Sequence, residues 1–317
     1  MRFEEAYGDW RKGQISQEEA AKLLGVCDRT FRRYIWVKNM LQRHKAVSKA
    51  PRRGAHRKRR ERSPFPGMMI HQDGSTHEWV TGQVWDLIPT IDDATNEHYD
   101  MRFVEEEGTQ SSFLGVEALI QKRGVFSSIY TDRASHYWTT PEAGGKVDKI
   151  NLTQFGRAMH HLGIEMIVAY SPQARGRSER MFRTHQERLP KELAAMGITD
   201  IEAANRYLVD IYLPRFNAEF MHPAKEQGST FVPWAGGSLS DILCEQFERK
   251  VGNDNCVHFE GLVLQIPADQ HRCHYVKATV RVHRYTNGHL AIFHGPRKLA
   301  SYDALGTILN QKKEAAA

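Results

Sequence analysis

Cysteine is scarce and never paired in this sequence: Cys27, Cys244, Cys256 and Cys273 are scattered over 317 residues without a C-x-x-C spacing. That excludes a disulfide framework and a cysteine-rich zinc site. The "HRCH" at 271–274 resembles a ligand cluster, but its neighbours alternate as a strand does, which speaks against a metal there. No apolar run approaches the ~18 to 20 residues of a membrane span. The opening "MRFEEAYGDW" also lacks the basic-then-apolar order of a secretion signal. A bacterial cytoplasmic chain with no membrane partner is the expectation.

The first fifth of the chain has little negative charge. Residues 1–66 hold 18 Lys/Arg against 7 Asp/Glu, a balance of +11 that leaves −5 for the rest of a chain whose net charge is +6. Lys and Arg that neutralise phosphates release counterions and so supply affinity for a polyanion without reading its sequence. The basic front therefore predicts a nucleic-acid partner.

Three helices are expected there. Ser16 followed by Glu19 has capping-box spacing, Gly25 suits the residue after a helix, and Asp28 suits the start of the next. Ala20, Ala21, Leu24, Val26, Phe31 and Ile35 can share one small core, while Arg29, Arg32 and Arg33 project from the early turns of the last helix. This is helix-turn-helix spacing over residues 1–44, with a helix able to enter a major groove. Residues 45–67 follow as a basic linker without apolar periodicity, in which Arg57, Lys58, Arg59 and Arg60 are expected to track a DNA backbone.

From Met68 the pattern changes to three strand-like runs, then helix, strand, helix, strand and a long helix beginning near Gly176. That order predicts an α/β core over residues 68–225, a mixed five-stranded sheet flanked by helices, with a further helix near 200–215. Residues 226–317 are expected to close the chain as a small β-barrel-like domain and tail, with short strands across 257–300.

Three acids stand at matching points of that sheet: Asp73 in the first strand, Asp132 at the end of the fourth, and Glu179 at the start of the helix after the fifth. Ionised carboxylates about 4 Å apart repel by about 4 kcal/mol per pair at an effective dielectric near 20, so a divalent cation is needed to hold them together. Hard oxygen ligands suit Mg²⁺ or Mn²⁺, and two such ions can hold the attacking and leaving oxygens of an in-line displacement. Phosphoryl transfer on nucleic acid is the expected reaction class. Asp92 and Asp93 are read as a turn pair, Asp86 and Asp148 have no motif around them, and His71 and His77 are placed beside Asp73 without a ligand role.

The stretches "HQDGSTHEW", "YTDRASHYW", "YSPQARGRSERMFRTHQERL" and "FNAEFMHP" resemble those of insertion-sequence transposases with a D, D, E triad, which share the RNase H-like core of retroviral integrases. The resemblance runs from about residue 10 to 305. It implies that Asp73, Asp132 and Glu179 are the metal-binding catalytic acids, and that Arg175, Arg177, Arg180 and Arg183 face DNA phosphates. It further implies binding to terminal inverted repeats, 3′-end cleavage and strand transfer into target DNA, a homo-oligomer on DNA, and association with the nucleoid when active. One departure is the 46 residues between Asp132 and Glu179, long for this family, with the excess in "WTTPEAGGKVDKIN". A stand-alone metal-dependent nuclease, or a DNA-binding regulator with a silent core, are the alternatives.

Overall fold

The computed structural model describes residues 3–44, 61–142, 145–170, 176–268 and 272–309, with the side chains of Glu4, Gln42 and 176–179 also outside the description. The chain divides into two units, Met1–Arg60 and Glu61–Ala317.

The first unit holds α1 (Phe3–Arg11), α2 (Gln17–Leu23) and α3 (Asp28–Arg43). The expected capping box is present: the Ser16 hydroxyl accepts from the Glu19 N–H and the Glu19 carboxylate accepts from the Ser16 N–H. Gly25, after α2, has φ +65°, a conformation that costs glycine least. Ala6, Ala20, Ala21 and Phe31 are buried, with Phe3, Trp10, Ile15, Leu24, Val26 and Ile35 packed around them.

In the second unit β1 (Ile70–Gln72), β2 (Ser75–Val80), β3 (Gln83–Asp92) and β4 (His98–Val104) are followed by α4 (Thr109–Arg123), β5 (Ser128–Thr131), α5 (Gln154–His161), β6 (Glu165–Val168) and α6 (Gly176–Ala195). β3 pairs antiparallel with β4 on one side and with β1 and β2 on the other, while β5 and β6 continue the sheet parallel to β1. The fold is thus the expected α/β one, a mixed sheet with flanking helices. Its first strand is divided into β1 and β2 at Asp73–Gly74. The register is the same on both sides of the break, Gln72 opposite Thr90 and Ser75 opposite Leu87, so Asp73 stands opposite Pro89, which has no N–H to give a ladder.

One core lies between the sheet, α4 and α5, and includes Ile70, Phe113, Val116, Ile129, Tyr137, Phe155 and Met159. Gly115 permits the close approach of α4, since a Cβ there would come within 2.5 Å of Gln72 Nε2 and 2.7 Å of Thr90 Oγ1. A second core packs Met181, Phe182, Leu189 and Leu193 of α6 against Trp79, Leu87, Met101 and Phe103. The helix expected near 200–215 is a longer run: α7 (Ile201–Tyr207), a π-helical turn (Leu208–Tyr212) and α8 (Leu213–Phe220).

Residues 61–67, assigned to the linker by sequence, are tied to the core instead. Asp93 accepts from the Ser63 N–H (2.7 Å) and hydroxyl (3.0 Å), and Asp92 from the Gly67 N–H (2.7 Å). Residues 226–244 also lie on the core: Val232 bridges to Val125, and Leu239 and Leu243 join the cluster beneath α4.

The last strands are β7 (Glu245–Lys250), β8 (Cys256–Phe259), β9 (Leu262–Gln265), β10 (Thr279–Arg284), β11 (Leu290–His294), β12 (Arg297–Tyr302) and β13 (Ile308–Leu309). They form an open antiparallel sheet, β13-β12-β11-β10-β7, and a β8–β9 hairpin, and among the described residues the ladder does not close into a barrel. β7 begins before the expected 257–300 because "EQFERK" is too charged to read as a strand; its Glu245 is held by Arg284 at 2.8 Å.

Candidate active site

The parallel pairing of β1 with β5 sets the site. Ile70 lies beside Ile129 and His71 beside Tyr130; the same offset carried past the strand ends puts Asp73 abreast of Asp132. Both acids therefore emerge at the carboxyl end of neighbouring parallel strands, where an open α/β sheet leaves its crevice. Asp73 is 9% exposed. Asp132 Oδ1 accepts from the Ala134 N–H at 2.8 Å, which holds the turn after β5, and the Trp138 indole donates to Thr131 Oγ1 at 2.9 Å and braces it from below.

α6 runs in the same direction as β2. Gln186 Nε2 donates to Ser75 Oγ at 3.0 Å, and Pro190 and Ala194 lie beside Glu78–Thr81. Followed back from Gln186, at about 1.5 Å per helical residue against about 3.3 Å per strand residue, the first turns of α6 return toward the Asp73 end of the sheet. Position 179 falls by helical periodicity on the face of Phe182 and Gln186, and the Glu179 side chain itself lies outside the described residues.

Sequence reasoning missed a polar layer beneath the two aspartates. Tyr137, 1% exposed, lies with its hydroxyl 3.3 Å from Gln72 Oε1, 3.4 Å from Glu107 Oε1 and 3.1 Å from Ser112 Oγ. Burial raises its phenol well above the ordinary tyrosine range; the nearby charge of Glu107, and then those of Asp73 and Asp132, push it further the same way. Tyr137 is therefore a neutral hydroxyl in contact with one carboxylate, that of Glu107. Glu107 is positioned by its backbone N–H, which donates to Asp86 Oδ2 at 2.7 Å, and by its place just before Gly108 and α4. The only sequence signal for it was the run of three glutamates at 105–107, read as the end of a strand.

Other expected residues fall elsewhere. Asp92 accepts from the N–H groups of Ala94 and Thr95, a turn-holding role, and lies opposite Ile70, at the end of the strand away from Asp73. Asp93 takes His71 Nε2 at 2.9 Å, and His77 packs edge-on against Trp79. Asp148 caps its own loop through the N–H groups of Ile150 and Asn151. Arg29, Arg32 and Arg33 are exposed on α3, with Arg32 paired to Asp28. Arg180 and Arg183 are exposed on α6, while Arg57, Lys58, Arg59, Arg60, Arg175 and the side chain of Arg177 lie outside the described residues.

The donor set is hard oxygen, as Mg²⁺ or Mn²⁺ requires. Among the described residues no three His, Cys, Asp or Glu side chains form a metal-binding group. Of the three expected acids, the side chains of Asp73 and Asp132 are described and that of Glu179 is not. All four cysteines are free. No helix among the described residues is long and apolar enough to cross a membrane.

No family model matches the chain. It is 32% identical over 252 residues to "Putative transposase y4bF" of Sinorhizobium fredii, covering 78% of this chain and 54% of that protein. It is 31% identical over 212 residues to the transposase for insertion sequence IS1202 of Streptococcus pneumoniae, covering 67% of this chain and 45% of that protein. The chain thus spans about half the length of the curated relatives it matches. Among solved structures, it aligns with a chain of a simian T-cell lymphotropic virus intasome at 13% identity and a TM-score of 0.43, over 97% of this chain and 100% of the other. The HTLV-2 integrase catalytic core domain in complex with magnesium aligns at 13% identity and a TM-score of 0.34, over 45% and 83%. At these scores neither structure bears on the chemistry. On the two sequence matches, the chain is similar to insertion-sequence transposases over two thirds or more of its own length.

Proposed function

We propose that this chain is the DNA-cleaving and DNA-joining enzyme of an insertion sequence, a polynucleotidyl transferase that uses Asp73, Asp132 and Glu179 as its acids. The observation that supports the reading is the parallel β1–β5 register, whose offset, carried two residues past the paired positions, sets Asp73 level with Asp132. Carboxylates so placed would hold Mg²⁺ or Mn²⁺, and two ions would supply charge stabilisation at the attacking and leaving oxygens of a phosphodiester.

The chain's own residues account for the rest. The 61–317 unit presents Asp73 on a strand break and Asp132 on a braced turn, so neither needs to reorganise when DNA arrives. Arg180 and Arg183, on the exposed side of α6, are suited to phosphates flanking the reacting one. The first unit grips double-stranded DNA at the terminal inverted repeats, with Arg29 and Arg33 as candidate base readers and residues 45–60 as a basic tether. Water attacks first and frees a 3′-OH; that 3′-OH then attacks a target phosphodiester. Because an element has two ends and each chain supplies one triad, the working species is a homo-oligomer assembled on DNA.

Joining separates this reading from a stand-alone nuclease. The test supplies the full chain with a pre-cut repeat end, a target duplex and MgCl₂. A covalent strand-transfer product is expected, and cleavage without joining would favour the nuclease. Repeat binding with neither reaction, and no metal response, would mark a regulator.

A further inference from the structure

The Glu107 carboxylate lies directly over the strand break. A Cβ built on Gly74 would come within 2.1 Å of Glu107 Oε2 and 2.5 Å of Glu107 Cδ, so the acid fills the space that a side chain next to Asp73 would need. Tyr137 holds it from one side, its hydroxyl 3.4 Å from Glu107 Oε1 and 3.3 Å from Gln72 Oε1. His136 approaches the same Glu107 oxygen, its ring 3.9 Å from that of Tyr137 between centroids. His136 Nε2 is buried without a hydrogen-bond partner among the described residues and stands 3.5 Å from Glu107 Oε1. Three contributions therefore converge on one carboxylate, the glycine, the tyrosine and the histidine, while Asp86 fixes the backbone of the same residue through its N–H.

Such an arrangement is more than packing requires. A carboxylate is kept here, 22% exposed, where glutamine would make the same contact with Tyr137. A cation bound beside Gly74 would give that carboxylate a partner besides His136.

We infer that Glu107 is a positioning acid of the same site, a fourth carboxylate that accepts hydrogen bonds from the water shell of a divalent cation held by Asp73 and Asp132. Gly74 is the residue that makes room for it. The inference rests on the proposed reading of Asp73 and Asp132 as metal ligands. Groups around a metal site that orient water and ligands are worth about ten- to a hundredfold in metal affinity.

The test uses the full chain and MnCl₂ alone, with melting temperature followed across a metal titration in the wild type, D73N, E107Q, E107D, G74A and the E107Q/G74A double variant. D73N is expected to lose the metal-dependent rise. Metal-free E107Q is expected to melt near the wild-type temperature, because glutamine keeps the contact with Tyr137, yet to need about tenfold more MnCl₂ for half of the rise. E107D, which keeps the charge, lies closer to the wild type. The methyl of G74A displaces the carboxylate, so G74A shifts the half-saturation in the same direction and the double variant shifts it no further than the larger single effect. An unchanged half-saturation in E107Q, a lower metal-free melting temperature, or additive E107Q and G74A effects would overturn the inference. If D73N instead responds to MnCl₂ as the wild type does, the ligand reading of Asp73 is what fails.

Discussion

His185 Nε2 of α6 lies 3.3 Å from His98 Nε2 of β4, both rings buried. Their tautomers follow from their other partners. His98 Nδ1 faces the Asn96 carbonyl at 3.1 Å and must donate, which leaves His98 Nε2 as an acceptor. His185 Nε2 then donates to it, and His185 Nδ1 accepts from the Tyr212 hydroxyl at 2.9 Å. One directional chain of hydrogen bonds thus fastens the helix that bears Glu179 to the sheet and to the π-helical turn, and it exists only while both histidines are neutral.

Stability is therefore expected to fall in acid. Burial pushes His98 down to about 4 and His185 well below the ordinary histidine range; His98 itself and Arg188 add to the depression of His185, while the Asn96 carbonyl opposes it at His98. In this window the unfolded chain binds protons that the folded chain refuses, so the stabilisation is complete above about pH 6.5 and is lost as pH falls toward 4. The slope is about 1.4 kcal/mol per pH unit for each histidine. Urea denaturation at pH 7, 6 and 5 measures it, and a His98→Asn/His185→Gln variant should lose most of that slope. Equal slopes in the two proteins would remove the histidines as its source.

Asp73→Asn, Asp132→Asn and Glu179→Gln are each expected to reduce cleavage and joining by roughly a hundredfold or more, with repeat binding retained, since a hard cation needs carboxylate ligands and the first unit does not. Gel-shift and strand-transfer assays on the same preparations check this. Full joining by any one of the three would show that the wrong acid has been assigned.

A fragment of residues 1–60, the first of the two units into which the chain divides, should bind duplex DNA alone with steep salt dependence. The slope of log K against log salt is expected near −0.9 for each phosphate contacted. Titrations at several NaCl concentrations give it directly, and a flat plot would eliminate the basic-arm reading.

On α3, Arg29 and Arg33 are exposed without the Asp28 pairing that engages Arg32. Arg29→Ala and Arg33→Ala should each weaken binding to the repeat by about 1 to 3 kcal/mol relative to random DNA, and Arg32→Ala by less. Competition between repeat and random duplexes separates the two terms. Equal losses on both DNAs would reduce these arginines to phosphate contacts.

Chains that divide the labour between ends should complement each other. An Asp73→Asn chain mixed with a chain lacking residues 1–60 is expected to recover joining that neither shows alone. Paired-end joining by a species of monomer mass would contradict the oligomeric reading.

Short-range features of this protein were legible in its sequence. The Ser16–Glu19 capping box and the left-handed Gly25 depend on residues a few positions apart, so their spacing suffices to announce them. The succession of strands and helices in the core follows from apolar periodicity, and with it the position of Asp132 at a strand end, whereas Asp73 was read inside its strand and the break there came from the fold. What the tertiary structure alone decided is long-range. β7 owes its place to pairing with β10, which no local pattern in a charged segment reveals. The contact between His98 and His185 spans 87 positions and that between Glu107 and Tyr137 spans 30, each made by elements that only packing brings together. Glu107 beside Gly74 is the plainest instance: a glutamate in the turn between β4 and α4 is ordinary until the sheet folds and a missing Cβ two strands away opens the space it fills.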